Sequence, residues 1–489
     1  MRLRSLLENV DIVGDLQNPD LEIAAVAYDS RRVNANDLFV ALAGTRTDGN
    51  RFIEQARSRG AVAVVSEAPS PKGYVGAWIS VKDGRKALAV ISSNFYGNPT
   101  QNLQLIGITG TNGKTSTAYL IESMLKARGE RVGLISTIVY RGPQGSLAGE
   151  RTTPESLDLQ ALFAGFWRQG CRYVVMEVSS HALALDRVHG CRFRTAVFTN
   201  LTQDHLDYHG TLDNYFQAKK RLFVGTGVGP PQQSVLNLDD PHGLSLAQVC
   251  AGRCLSYSRA HQADFRLNKV DTRNSVSEIE VDTPTGRWSL RSRLMRNPNQ
   301  SNILAAVAAS YDLGVDQGTI QQGVDACAVV PGRFEIIDCG QPFQVVVDYA
   351  HTEDALEQLL LTARQLNPRR ILLLFGCGGE RDKGKRAAMG AVAARLSDFS
   401  VISSDNPRSE DPVAIIEEVK AGFQKCSTFL AEPDRQEAIR KILGMAKPGD
   451  LVLLAGKGHE TSQVLADKTI QFDDREVARS FLKNLGRVT

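Results

Sequence analysis

Nowhere in the 489 residues is there an uninterrupted apolar run of the ~18 residues that a membrane-crossing helix needs. No transmembrane segment is therefore expected. The opening stretch, MRLRSLLENVDIVGD, lacks the long apolar core of a signal peptide. An excess of one charge is lacking too. The 57 Lys and Arg face 54 Asp and Glu, a formal net charge of +3, so nothing points to nucleic acid or to a polybasic membrane partner. The eight cysteines have no paired metal-type spacing, and a cytoplasmic protein with reduced thiols is the simplest reading. Cys377 sits in a glycine cluster but has no triad-like partner in view, which argues against a nucleophile. Low-complexity tracts and short-period repeats are absent as well. The expectations are a monomer, no nucleic-acid partner and no membrane insertion.

What is present is an ordinary globular balance, with 42% apolar and 23% charged residues and 42 glycines, many of them in tight clusters. The length suggests about three domains. Residues 1–100 mix short β-like runs (AAVAYDS, DLFVALAG, AVAVVSE, AWISV) with helix and end at the turn-rich NFYGNPTQN. Residues 101–330 read strand, loop, helix repeatedly, through LQLIGITG, TSTAYLIESMLKAR, YVVMEVSS, TAVFTNL and SVLNLDD. That alternation predicts a mostly parallel sheet. Residues 265–295 look like a small antiparallel insertion with a Pro-Thr-Gly turn. A third unit, 331–489, starts near VPGRFE. The fold expected is α/β in three domains: a small α/β N-terminal domain, a central phosphate-loop ATPase-like parallel-sheet domain, and a C-terminal Rossmann-like domain.

In the third unit FQVVVDYAH, RRILLLFGCGG, FSVISSDNPR and DLVLLAGKGHE are apolar runs that stop at polar or glycine-rich motifs. Open α/β sheets bind ligands outside the carboxyl ends of their strands, so these four ends suggest one composite site. In the central unit Gly110-Thr111-Asn112-Gly113-Lys114-Thr115-Ser116 joins a strand to a helix. Glycines let successive N–H groups face a phosphate, the helix N-terminus adds partial positive charge, Lys114 adds a full one, and Thr115 offers a hydroxyl to Mg²⁺. The usual spacing would place a glycine at 108, where Ile108 stands, so the loop is a shortened variant.

TGTNGKTS resembles the ATP loop of the Mur ligases. The likeness continues in order through DSR near residue 30, TTPES, MEVSSHAL, FTNLTQDHLDYHG, AKKRLF, VPGRFE, VDYAHTEDAL, FGCGGERDKGKR, DNPR and AGKGHE. Within the family the resemblance is to the branch that adds the third peptide residue. It implies an ATP-dependent ligase of peptidoglycan precursor synthesis, joining meso-2,6-diaminopimelate to the D-glutamate of UDP-MurNAc-L-Ala-D-Glu through an acyl phosphate. ATP is then a co-substrate and Mg²⁺ the cofactor.

The resemblance also implies roles. Lys114, Glu177, His205 and Lys219 are the catalytic candidates, with Thr115, Glu177, His205 and Lys219, the last as a carbamate, around Mg²⁺. Asn237, Asn299, Arg333, Asp348 and His351 join residues 110–116 as ATP contacts. Tyr28, Ser30, Thr45, Arg46, Thr47, Thr152, Thr153, Ser179 and Arg187 are the UDP-precursor contacts. Arg381, Asp405, Asn406, Pro407, Arg408, Gly456 and Glu460 are the diaminopimelate contacts. Taken singly, many of these have plainer readings. Glu177 suits a structural ion pair, His205 an exposed loop, Lys219 a solvated helix charge, and DNPR an Asn-Pro turn. Two departures stand out: Arg296-Asn297-Pro298-Asn299 where the family commonly has Gly-x-Phe-Asn, and Glu353 where it has proline. A folylpolyglutamate-type ligase is the alternative within the fold, and a phosphate-loop nucleotide switch without ligation is the alternative outside it.

Overall fold

The computed structural model describes all residues except 45–46, 274–275, 295–296, 424–427 and 486–489, and the side chains of 273, 297, 298 and 485. Among the described residues there are three large sheets and a small hairpin. The first has five strands in the spatial order Ile12–Val13, Ala77–Val81, Ala61–Ser66, Asp37–Val40, Val26–Ala27. It is parallel apart from its first strand, and helix Gly84–Phe95 packs on it.

The central sheet has eleven strands. Its middle is parallel and runs Val132–Ile135, Tyr173–Glu177, Gln104–Thr109, Phe193–Phe198, Gln233–Asn237, Arg253–Ser258. Helices cover both faces, so strands such as Val132–Ile135 and Tyr173–Glu177 are buried on both, which explains the unbroken apolar runs in the sequence. In Gln104–Thr109, Leu105 packs among Phe163, Met176 and Phe198, while Ile106 and Ile108 pack among Ile121, Val175 and Ile303. The predicted antiparallel insertion is Phe265–Arg273, Val276–Thr283 and Gly286–Ser292, a meander that extends the same sheet.

The third sheet is ordered Glu335–Ile336, Gln344–Asp348, Leu451–Ala455, Ile371–Phe375, Phe399–Ser403, Phe429–Glu432. All neighbours but the first pair are parallel. The four motif-bearing strands are thus its four central ones, with their carboxyl ends at one edge. Glu353, the replacement for proline, opens helix Glu353–Gln365 behind the N-cap Thr352. A carboxylate in the first turn suits the positive helix end, so this change leaves the helix start intact. No helix among the described residues is long and apolar enough to cross a membrane.

Candidate active site

The strand Gln104–Thr109 delivers the glycine loop to the carboxyl edge of the central sheet, and Gly113 caps helix Lys114–Ala127. Gly110 is held at φ 151°, and a Cβ there would lie 1.8 Å from Thr199 Oγ1. Only glycine fits so close an approach. Across the loop, Asn112 N donates to Asn200 Oδ1 at 2.9 Å and Thr199 Oγ1 donates to Asn112 O at 2.6 Å.

Two lysines converge on one carbonyl. Lys114 Nζ donates to Gly110 O at 3.0 Å and to Thr111 O at 2.7 Å. Lys219 Nζ donates to the same Gly110 O at 2.8 Å and lies 4.3 Å from the Tyr215 ring centroid. Lys219 is 1% exposed. Burial, then the Lys114 charge, drives its pKa well below the usual lysine value. Burial also lowers the pKa of Lys114. The neutral amine is the form that so dry and cationic a place favours.

Glu177 ends the strand Tyr173–Glu177 and is fully buried. Its carboxylate accepts from Thr137 N at 2.9 Å and from Thr137 Oγ1 at 3.2 Å. His205 stands at φ 56° before helix Leu206–His209, its Nε2 3.4 Å from Asp204 Oδ2. Asp204 also faces His351 Nε2 at 3.9 Å. Burial holds His205 down to about 3 and lowers His351, against the opposing pull of Asp204. Against burial, the flanking imidazoles and the Lys385 charge keep Asp204 well below the usual carboxylate range. Asp204, Thr137 and Lys385 were not singled out in the sequence. Asp204 adjoins His205 and Lys385 lies within FGCGGERDKGKR, so both were legible there, but Thr137 carried no signal.

The third sheet closes over this loop. Arg333 Nη2 donates to Thr115 Oγ1 at 3.2 Å, with its guanidinium carbon 4.6 Å from the Tyr349 ring centroid. Asn112 Nδ2 donates to Asp354 Oδ2 at 2.9 Å. Asp348 accepts from Phe334 N at 2.7 Å and Ala350 N at 2.9 Å. Between the two sheets lies a cavity of about 520 Å³ bordered by Asn112, Gly113, Ser116, Asn237, Asn299 and Asp348, with Arg333 at its rim. Six residues expected at the nucleotide therefore share one cavity with Arg333. Asn299 accepts from Asn302 Nδ2 at 3.1 Å. The unusual Arg296 lies outside the described residues, as do Thr45 and Arg46.

A larger cleft of about 1050 Å³ lies on the other side and is bordered by Tyr28, Ser30, Thr47, His181, Arg187 and Arg381 among others. Tyr28 Oη donates to Asp158 at 2.5 Å and Ser30 Oγ to Gln55 at 2.7 Å. Thr153 Oγ1 donates to Glu177 O at 2.9 Å and accepts from Ser179 N at 3.0 Å. Arg187 donates to Thr153 O at 3.1 Å and to Glu155 at 3.2 Å. Thr152 Oγ1 lies 3.0 Å from Thr137 Oγ1, which bonds Glu177. Thr152, Thr153, Ser179 and Arg187 thus form a network ending on Glu177, while Tyr28 and Ser30 bond outside it. Arg85 and Arg151, 3.8 and 3.9 Å from Glu155 in this cleft, were missed because single arginines carry no motif.

At the strand ends of the third sheet Asp405, Asn406, Pro407 and Arg408 face Gly456 and Glu460. Asn406 Nδ2 donates to Glu460 Oε2 at 2.8 Å, and Lys457 Nζ donates to the same oxygen at 2.9 Å. Lys457, fully buried, is a further residue missed in the sequence. Gly456 is at φ 112°, and a Cβ there would meet Asp405 Oδ2 at 2.7 Å. Arg408 Nη1 donates to Gly379 O at 2.7 Å and Asn406 O at 3.3 Å. Burial and the nearby Arg381 both lower the Arg408 pKa. Burial and Asp405 raise Glu460 against the pull of Lys457. His205, Phe334, Glu380 and Arg408, all in or beside these motifs, have φ between 51° and 56°. Such strain in non-glycine residues concentrates at functional sites. Cys377 is buried, and burial pushes its thiol up to about 12, so it is no nucleophile.

Known proteins resemble this chain along nearly its whole length. Residues 22–96 match the family model described as Mur ligase family, catalytic domain. Residues 108–310 match the Mur ligase middle domain, and 332–458 match the Mur ligase, glutamate ligase domain. The chain is 48% identical over 490 residues to a UDP-N-acetylmuramoyl-L-alanyl-D-glutamate–2,6-diaminopimelate ligase of Solibacter usitatus, covering 99% of both chains. A solved structure of a ligase with that name covers 100% of both chains at 31% identity and TM-score 0.70. A Mycobacterium tuberculosis folylpolyglutamate synthase complexed with ADP and AMPPCP matches at 16% identity and TM-score 0.64, covering 81% of this chain and 95% of its own, a likeness of fold alone. The fold and site define an ATP-dependent acid–amine ligase, and the chain belongs to the Mur ligase family.

Proposed function

We propose that this enzyme uses ATP to join meso-2,6-diaminopimelate to the D-glutamate of UDP-MurNAc-L-Ala-D-Glu, a step in peptidoglycan precursor synthesis. The carrying observation is the cluster at the ends of the third sheet, where Arg408 and Arg381 lie opposite Glu460 and Asp405. The far end of diaminopimelate bears both a carboxylate and an ammonium, and a guanidinium fork with acids beside it matches that pair. The near-full-length relative of the same name supports the reading. A ligase that adds glutamate to a folate, or a non-ligating nucleotide switch, would not need this cluster.

In this reading the units meet near residues 100 and 330. The acceptor occupies the larger cleft, with its diphosphate among Arg85, Arg151 and Arg187 and its peptide end at the Thr152–Thr153–Ser179 network. ATP occupies the smaller cavity with its phosphates on the loop 110–116. There Lys114 swings from Gly110 O to the phosphates, and Arg333 reaches them from the other side. The acceptor carboxylate attacks the terminal phosphoryl group, and ADP leaves. The amine of diaminopimelate then attacks the acyl phosphate, forming a tetrahedral centre that expels phosphate. Cations at fixed positions offset the repulsion between these anions. His351 and Asp348 lie beside the nucleotide, and Asn237 and Asn299 line the base end.

The residues present fit Mg²⁺. No cluster of three His, Cys, Asp or Glu suited to a metal occurs among the described residues. Mg²⁺ prefers one or two carboxylates plus substrate phosphates to an all-protein cage. Thr115, already facing a cation in the Arg333 guanidinium, together with Glu177 and His205 would hold it, and bound Mg²⁺ would neutralise phosphate charge. The neutral Lys219 amine has the chemistry for carbamylation. Its nitrogen lone pair adds to CO₂ and a proton is released, giving an anion where a buried cation is disfavoured. The enzyme acts as a cytoplasmic monomer without membrane insertion. Mass analysis of the product from UDP-MurNAc-dipeptide, ATP and diaminopimelate tests the reading, and ADP release independent of either substrate would refute it.

A further inference from the structure

Arg435 and Asp474 open two helices, Arg435–Met445 and Asp474–Leu485, and border neither cavity. Both side chains are 0% exposed. Arg435 Nε donates to Asp474 Oδ1 at 2.8 Å and Nη2 to Oδ2 at 2.7 Å. The same guanidinium also donates through Nη1 to Ser404 O at 3.2 Å and through Nη2 to Ala455 O at 2.9 Å. Ser404 immediately precedes Asp405, and Ala455 immediately precedes Gly456.

These carbonyls belong to chain segments that are not neighbours. Ser404 follows the strand Phe399–Ser403, Ala455 ends Leu451–Ala455, and Ile371–Phe375 lies between them. No backbone ladder joins the two outer strands. Arg435 spans the gap directly beneath the two loops that carry the expected amino-acid contacts. The tolerance there is small, since a Cβ on Gly456 would meet Asp405 Oδ2 at 2.7 Å and Arg435 Nη2 at 3.9 Å. Stability alone does not explain the pair, because hydrophobic residues of similar volume often replace a buried ion pair without loss. What such residues cannot do is hold two carbonyls.

We infer that the Arg435–Asp474 pair is a positioning device that sets the separation between Asp405–Arg408 and Gly456–Glu460, and so sharpens selection of the incoming amino acid. The inference rests on those loops forming the amino-acid pocket. Asp474 neutralises and orients the guanidinium, and the guanidinium holds the loops. Supporting residues of this kind matter because small misplacements in a site are felt strongly.

The test is steady-state kinetics on the full chain. In Arg435→Met/Asp474→Leu the fold keeps an apolar filling but loses both carbonyl ties. Misplacement by about 1 Å can lower rates by ~10²-fold, so a rise of at least ~10-fold in KM for diaminopimelate is expected, with KM for ATP and acceptor within ~2-fold. The preference over L-lysine should narrow. A folded double variant with parental amino-acid KM and preference overturns the inference. If the double variant does not fold, Arg435→Lys takes its place, since one ammonium cannot replace the fork. A raised amino-acid KM in that variant supports the inference, and a parental one overturns it. Arg408→Ala is measured alongside. If it leaves amino-acid KM unchanged, the pocket assignment has failed. If it raises KM while the Arg435 variants do not, only the positioning role has failed.

Discussion

Replacing Arg408 with alanine removes the guanidinium on which amino-acid choice is expected to turn. Nη1 is committed to Gly379 O and Asn406 O, while Nε and Nη2 have no protein acceptor among the described residues. Arg381 lies close enough to lower the Arg408 pKa against the pull of Asp405, Glu460 and Glu380, so an anion placed between the two guanidiniums would relieve their mutual repulsion. The distal carboxylate of diaminopimelate is such an anion. L-Lysine lacks it and adds a further ammonium. Leaving one member of a buried ion pair uncompensated costs ~3–5 kcal/mol. Each ~1.4 kcal/mol is tenfold, so the parent should prefer diaminopimelate by at least ~10²-fold. Arg408→Ala should lose most diaminopimelate activity and bring the two amino acids closer. Because Nη1 also ties down the loop, part of the loss will be common to both substrates. The ratio of their kcat/KM values cancels that part and isolates the carboxylate contact. Arg408→Lys should also be poor, since an ammonium cannot form the bidentate fork. A parent enzyme that used lysine as well as diaminopimelate, or an Arg408→Ala variant that kept the full preference, would refute the reasoning.

Lys114→Ala should leave the fold intact and reduce ligation by roughly 10²–10³, the loss of one electrostatic contact to the transition state; a folded variant with full activity would remove the loop from the mechanism. Lys219→Ala should be inactive and regain part of its activity with short-chain carboxylic acids, which restore the anion a carbamate would supply; parental activity without any addition would sink that role. Glu410 accepts from Arg386 at 3.0 and 3.1 Å and is held down to about 2, chiefly by that bond. A depressed carboxylate stabilises the fold above its unfolded value, near 4.5, and loses that contribution as pH falls towards 2. Glu410→Gln should therefore lower the urea midpoint at pH 7, by about 1 kcal/mol in stability once solvent screening of this surface carboxylate is counted. The gap to the parent should shrink steadily below pH 4.5, and a gap independent of pH would disprove the linkage.

Much of the fold was legible because parallel strands buried on both faces leave unbroken apolar runs. Gln104–Thr109, Tyr173–Glu177, Ile371–Phe375 and Leu451–Ala455 all fall where such runs predicted them. The chemistry was legible where spacing was local, as in the glycine loop, the Asp405–Arg408 tetrad and the Gly456–Glu460 turn. Thr137 and Arg85 were not legible, because each is a common residue whose partner lies far along the chain. The double burden on Gly110 O was equally hidden, since Lys114 and Lys219 are 105 positions apart. Period and local spacing belong to the chain itself: hydrophobic alternation sets which segments become strands and helices, and glycines and caps set where they stop. Burial and charge proximity belong only to the packed molecule. A lysine's tendency to lose its proton, a carboxylate's place between two imidazoles, and an arginine's span across a sheet depend on atoms that the fold brings together. Those are the quantities that turn a list of motifs into a site.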